Sequence, residues 1–197
     1  KYGNNSFAKI EVSLSNEDIN TFSTFGNNDN LGYAGKFIWK HHLKPFKNWK
    51  INSAIDLESL SSNYKRIERF RAVEFERNWN TQNLVIQGNQ YAASAGLKME
   101  NSLNKIEYAF NSFIIDTAYI GLKNDFKLDW KENINANIDL SYLTTEGIQK
   151  TAFLRHMSTI YKSFNKLKIG FQDIHEHNLF YQQDSLTSLS YQFYDWK

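Results

Sequence analysis

Apolar and polar residues take turns, one by one, from Ile120 to Tyr142. Ile120, Leu122, Phe126, Leu128 and Trp130 share one parity, and Lys123, Asp125, Lys127 and Asp129 lie between them. After Lys131-Glu132-Asn133 the rhythm resumes, with Ile134, Ala136, Ile138, Leu140 and Tyr142 set against Asn135, Asn137, Asp139 and Ser141. Successive side chains on a strand point to opposite sides, so this is a pair of strands, each with a greasy and a wet face. The short connection makes them a hairpin. A helix would need apolar residues at i+3 and i+4, and these do not recur.

The same beat runs through much of the chain. Ala8, Ile10, Val12 and Leu14 alternate with Lys9, Glu11 and Ser13. Leu31, Tyr33, Phe37 and Trp39 form another set, as do Trp49, Ile51, Ile55 and Leu57. Further sets are Tyr91 to Met99, Ile106 to Phe110, Phe153, Met157 and Tyr161, Leu167 to Phe171, and Leu189 to Phe193. Pro45 is the only proline, which suits a chain whose backbone N–H groups are nearly all needed in ladders. Short connections are expected near Lys44–Asn48, Asn78–Gln82, Asn101–Asn104, Lys131–Asn133 and Asn165–Lys166. Looser ones are expected at Asn16–Asn30, Ser61–Lys65, Gly88–Gln90, Asp116–Thr117, Thr145–Gln149 and Asn178–Ser185. In chain order the two kinds alternate. The expected fold is all-β: one domain over residues 1–197, an antiparallel up-and-down transmembrane β-barrel or a segment of one. It has about twelve strands of about nine to twelve residues, long enough to cross a bilayer when tilted.

Composition narrows the functions. Mean hydropathy is -0.59, too polar for a helical membrane protein but compatible with a barrel that shows lipid only every second residue. A net charge of +2 gives no reason to expect a nucleic-acid partner. There is no cysteine, hence no disulfide framework and no thiolate zinc site. No signal peptide is recognisable, so a mature form or a piece of something longer is expected. Aromatics near strand ends (Phe46, Trp49, Trp79, Trp130, Tyr142, Tyr194 and Trp196) suit an interfacial girdle, although ordinary core accounts for any one of them equally well.

The run Arg66–Arg77 breaks the pattern by putting charge on both parities. An arginine facing lipid at mid-bilayer costs roughly 2–4 kcal/mol, so part of this run must lie outside the hydrocarbon. The stretch Glu68-Arg69-Phe70-Arg71-Ala72-Val73-Glu74-Phe75-Glu76-Arg77-Asn78-Trp79-Asn80 resembles a segment of large Bacteroidetes outer-membrane β-barrel proteins of unassigned role. Asn20-Thr21-Phe22-Ser23 and Asp29-Asn30-Leu31-Gly32-Tyr33-Ala34 are similar to them as well. The resemblance covers under half the chain and brings no catalytic residues. It implies an outer-membrane location and a chain cut from a longer protein.

Candidate chemistry is sparse. Asp173, His175 and His177 share a strand face and could chelate a metal, but a strand rising into water explains them better, and neither a metal site nor a cofactor is expected. His41-His42 is a weaker pair, since neighbours face opposite sides. His156 and Ser158 share a face and suggest a hydrolase, with no third partner evident from sequence. The leading expectation is therefore a non-enzymatic outer-membrane barrel wall serving passage, assembly or anchoring of a partner. Ile120, Leu122, Phe126, Leu128, Ile134, Ile138 and Leu140 would face lipid. Lys123, Asp125, Lys127, Asp129, Asn135, Asn137 and Asp139 would line a lumen, with opposite charges paired across strands. Expected partners are outer-membrane lipid and other outer-membrane or periplasmic proteins. The alternatives are a soluble ligand-binding β-barrel or sandwich, with the apolar face turned inward, and a barrel hydrolase.

Overall fold

The computed structural model describes residues 5–17, 30–45, 48–65, 71–72, 74–81, 88–146, 149–182 and 185–197. They form a single antiparallel sheet of eleven strands. In chain order these are β1 (Asn5–Asn16), β2 (Leu31–Leu43), β3 (Lys50–Leu60), β4 (Gln90–Glu100), β5 (Asn104–Ile115), β6 (Tyr119–Trp130), β7 (Ile134–Thr145), β8 (Gln149–Phe164), β9 (Leu167–Gln182), β10 (Ser185–Leu186) and β11 (Tyr191–Trp196). Each of β1 to β9 pairs with its chain neighbour. The short β10 and β11 both return onto β9. The sheet is open: β1 pairs only with β2, and β1 and β9 do not meet.

Local chemistry explains the hairpins. Between β6 and β7, Lys131 and Glu132 both take positive φ, 51° and 57°, and Asn133 N–H donates to the Trp130 carbonyl at 3.0 Å. Two left-handed residues in succession give a turn whose twist matches the strands it joins. Asn165 does similar work between β8 and β9, with φ 52°; asparagine tolerates that region better than most residues. At the β4–β5 turn Asn101 Oδ1 accepts from the N–H groups of Leu103 and Asn104.

Several expectations need correction. The expected short connection at Asn78–Gln82 follows no strand: Phe75–Asn78 is a single helical turn, α1, between β3 and β4, and Gln82 lies outside the described residues. Residues 66–70 and 73 of the charged run Arg66–Arg77 lie outside the described residues. Asp116–Ala118 is a tight turn rather than a loose loop, and Asn178–Gln182 belongs to β9. Long connections therefore do not regularly alternate with short ones. The marked exceptions are 17–30 and 61–89, both at the same end of the sheet.

Candidate functional site: a polar face crossed by the β3–β4 connection

The pairing register sorts the side chains into two faces. Lys123, Asp125, Lys127 and Asp129 of β6 stand opposite Ser141, Asp139, Asn137 and Asn135 of β7, all on one face. Ile120, Leu122, Phe126 and Leu128 stand opposite Thr144, Tyr142, Ile138 and Ala136 on the other, where Ile134 and Leu140 also lie. Carried from strand to strand, the polar face includes Lys9 and Glu11 of β1, Lys36 of β2, Asp56 and Glu58 of β3, Lys98 of β4, Glu107 of β5, Arg155 of β8 and Glu176 of β9. Two expected faces were wrong. Tyr191 and Phe193 of β11 stand across from Asn178 and Glu176 on the polar side, and β11 turns Gln192, Tyr194 and Trp196 to the apolar side. Phe153, Met157 and Tyr161 lie with Arg155 on the polar side, and β8 turns Leu154, His156, Ser158 and Ile160 to the apolar side.

Charges on the polar face pair across strands: Lys36 with Asp56 at 3.4 Å, Lys98 with Glu107 at 4.0 Å and Arg155 with Glu176 at 3.1 Å. Asp129 accepts a hydrogen bond from Asn135 at 2.6 Å. Asp125 and Asp139 depart from the expected pairing, because two carboxylates sit directly opposite each other with Lys123 and Lys127 flanking them on β6. The face is hollowed. A cavity of about 720 Å³ runs from Phe7 of β1 past His42, Asn52 and Lys98 to Asp125 and Lys127 of β6. A second, of about 960 Å³, lies over Glu11, Lys36, Glu58 and Leu60, bounded by Tyr64 and Lys65.

Those last two residues begin a crosspiece. After β3 the chain folds back over the polar face instead of leaving the sheet. Tyr64 Oη donates to Ser13 Oγ at 2.8 Å, Lys65 N–H donates to Ser15 Oγ at 2.9 Å, and Lys65 pairs with Glu17. The Tyr64 backbone lies so close to Gly32 that a Cβ there would come within 2.3 Å of its Cα. Only a glycine lets backbone approach backbone in this way. Further along, Arg71 Nε donates to Glu58 Oε1 at 2.7 Å and Arg71 Nη1 donates to Gln90 Oε1 at 2.6 Å. Its guanidinium also lies 4.3 Å from the Phe75 ring centroid and 5.0 Å from that of Phe113, distances at which a cation is attracted to an aromatic face.

The crosspiece then enters the molecule's buried cluster. Trp79 (7% exposed) packs with Phe113 (2%), Ile115, Tyr119 (1%) and Leu143. Phe75 meets Phe113 edge-on with ring centroids 5.0 Å apart, a favourable geometry for aromatic pairs. Lys123 Nζ donates to the Asn78 carbonyl and lies 4.8 Å from the Trp79 ring centroid. Trp79 is thus a core residue and not a girdle residue. Apart from Leu60 on the same face, this cluster holds all the buried large hydrophobic side chains among the described residues, and every one of its strand members is on the otherwise polar face.

Tyr119 Oη donates to the Trp79 carbonyl at 2.5 Å. Removing a donor leaves a buried acceptor unsatisfied, at about 1–3 kcal/mol. Tyr119→Phe is therefore expected to lower stability in detergent by that amount, measured as a shift in the urea midpoint. An unshifted midpoint would show that water replaces the hydroxyl.

Sequence reading missed this cluster, although a signal was present. Along Phe110-Asn111-Ser112-Phe113-Ile114-Ile115 the alternation gives way to apolar residues on both parities, and Tyr142-Leu143 does the same. That doubling marks the end of the sheet where something covers the wet face.

Nothing among the described residues covers the apolar face. On β1, Ile10, Val12 and Leu14 are 73%, 74% and 68% exposed, and large apolar side chains on this face stay exposed through Leu57, Leu97, Ile120 and Leu140 to Phe171. No helix among the described residues is long and apolar enough to cross a membrane, which says nothing about strands. No group of three or more metal-ligating side chains occurs among the described residues. Searches of protein-family models, curated proteins and solved structures found no match to this chain.

Proposed function

We propose that the chain is wall of an outer-membrane β-barrel, with its polar face lining a lumen that the β3–β4 crosspiece narrows at one end. The supporting observation is an inversion of the usual soluble arrangement. Among the described residues nothing packs on the sheet's extensive apolar face, and the buried cluster sits on the polar side. In water, a contiguous apolar surface of this extent would drive association. In a bilayer it is the surface that meets acyl chains, and the ladder satisfies the backbone where no water can. Strand length agrees. At about 3.3 Å per residue and a tilt near 45°, the eleven to thirteen residues of β1 to β7 rise about 26–30 Å, close to the hydrocarbon thickness, and the sixteen residues of β8 and of β9 extend beyond it, to about 37 Å.

The lumen-facing set is then Lys123, Asp125, Lys127, Asp129, Asn135, Asn137 and Asp139. The lipid-facing set is Ile120, Leu122, Phe126, Leu128, Ile134, Ile138 and Leu140. The cross-strand ion pairs and the crosspiece fill much of the interior, so the role is selective passage, or anchoring and assembly of a partner, rather than a wide open pore. The free edges are β1 at one side and, at the other, β11 with the Leu167–Phe171 part of β9; they must find strand partners within the membrane, because each unsatisfied backbone group there costs several kcal/mol. Outer-membrane lipid is the first partner. Other envelope proteins are the second.

The test is extraction and gel mobility. The protein is expected in the detergent-extracted outer-membrane fraction, and its electrophoretic mobility should change on boiling as the sheet unfolds. Recovery as a monodisperse species without detergent, with one mobility before and after heating, would overturn the proposal.

A further inference from the structure

A group of polar side chains interrupts the apolar face. His156 and Ser158 lie two residues apart on β8, across from Leu140 and Ile138 of β7. On β9, Asp173 stands directly across from Ser158, and His175 directly across from His156. Asp173 Oδ2 reaches diagonally to His156 Nδ1 at 3.1 Å, with the two side chains 25% and 34% exposed. Ile160 and Phe171 bound the group toward the β8–β9 turn; toward the other end Leu154 of β8 stands across from His177, which continues the polar run along β9. Ionisable residues at hydrocarbon depth are costly and tend to mark function.

The three side chains stand in the order that nucleophilic catalysis needs. A carboxylate that accepts Nδ1–H fixes the imidazole tautomer and leaves Nε2 as the basic nitrogen. Ser158 is two residues along the same face, about 7 Å away between Cα atoms; its hydroxyl makes no hydrogen bond to His156 here and has to close on Nε2 when substrate binds. We propose that Ser158, His156 and Asp173 form an acyl-ester hydrolase site that opens onto the lipid face, with membrane glycerolipids as the substrate class. This rests on the apolar face meeting lipid. Ser158 Oγ attacks the ester carbonyl carbon and its proton passes to His156 Nε2. The ester C–O bond breaks, and the leaving lysolipid alcohol takes that proton. Water then gives a proton to His156 as its oxygen attacks the acyl-serine. The bond to Oγ breaks, a fatty acid departs, and Ser158 recovers its proton. Asp173 keeps its contact with Nδ1 and orients the ring. His175, stacked on Tyr194 with centroids 4.3 Å apart, has a buried Nε2 with no hydrogen-bond partner among the described residues.

The chain folded into phosphatidylethanolamine vesicles should react with a fluorophosphonate probe at Ser158, located by peptide mass spectrometry, and should release fatty acid. Ser158→Ala and His156→Ala should each lower release by about 10³-fold or more, and Asp173→Asn by a similar factor, because a wrong tautomer disables the base. All three variants should keep the heat-dependent mobility shift, so a folding defect would be visible. A folded wild type that takes no label at Ser158, that labels but releases no fatty acid, or whose Ser158→Ala variant releases as much as wild type would overturn the site. Absence of the mobility shift in the wild type marks failure of the membrane reading instead, and removes the lipid substrate with it.

Discussion

Trp79→Ala should undock the crosspiece from the sheet, at a cost of about 3–5 kcal/mol, the range for truncating a buried tryptophan to alanine. The indole is wedged between Phe75, Phe113, Tyr119 and Leu143. It also fills the space over Gly121, where a Cβ would come within 2.7 Å of its ring. Deleting it leaves a cavity that the strands cannot close, since their spacing is fixed by the ladder, and it removes the ring against which Lys123 rests. The strands themselves stay paired, so the effect falls on the docking equilibrium more than on the sheet. Proteolysis of a transiently opened segment follows the population of the open form. Cleavage of the folded protein between residues 61 and 89 should therefore accelerate by about two to nearly four orders of magnitude, with cleavage elsewhere unchanged. Trp196→Ala is the control, because that ring is 72% exposed and its loss should leave the rate alone. Equal cleavage rates for Trp79→Ala and wild type would mean that the crosspiece is held by its polar contacts, among them Arg71 to Glu58 and Gln90.

How much of this could be read in the chain follows from what the alternation encodes. Period two records which side chains share a face, and the hairpin from Ile120 to Tyr142 pairs with that parity throughout, Phe126 opposite Ile138 and Lys127 opposite Asn137. β8 misled because its two faces carry similar residues. Phe153, Met157 and Tyr161 look like an apolar set until the pairing puts Arg155 among them. The crosspiece escaped for a different reason. Its contacts join residues far apart in sequence, such as Tyr64 with Ser13 and Lys123 with Asn78, and no local pattern records a segment that folds back across strands already laid down. The His156–Asp173 pair is similar. Both residues were visible, but their meeting depends on the β8–β9 register, which sets Asp173 across from Ser158.

Alternation alone is silent about which face meets which solvent, and one pair of substitutions decides it. Ile138 and Asn137 are adjacent on β7, near the middle of the strand, at nearly the same depth. Ile138 lies between Phe126 of β6 and Ser158 of β8; Asn137 lies between Lys127 and Thr159. If acyl chains cover the first face, Ile138→Arg must hold a guanidinium in hydrocarbon, and folding into vesicles should become less favourable by about 2–4 kcal/mol. Asn137→Arg puts the same charge into an aqueous interior. Crowding by Lys127 works against it there and the nearby carboxylates Asp125 and Asp139 work for it, so its cost should stay within about 1 kcal/mol. Urea titration of folding into vesicles measures both. The sign of the difference carries the conclusion, because each variant adds an identical side chain to an identical backbone. A larger penalty at Asn137, or equal penalties, would mean that the apolar face is not the one in contact with lipid. The wall, its lumen and the lipid-facing hydrolase site would then fall together.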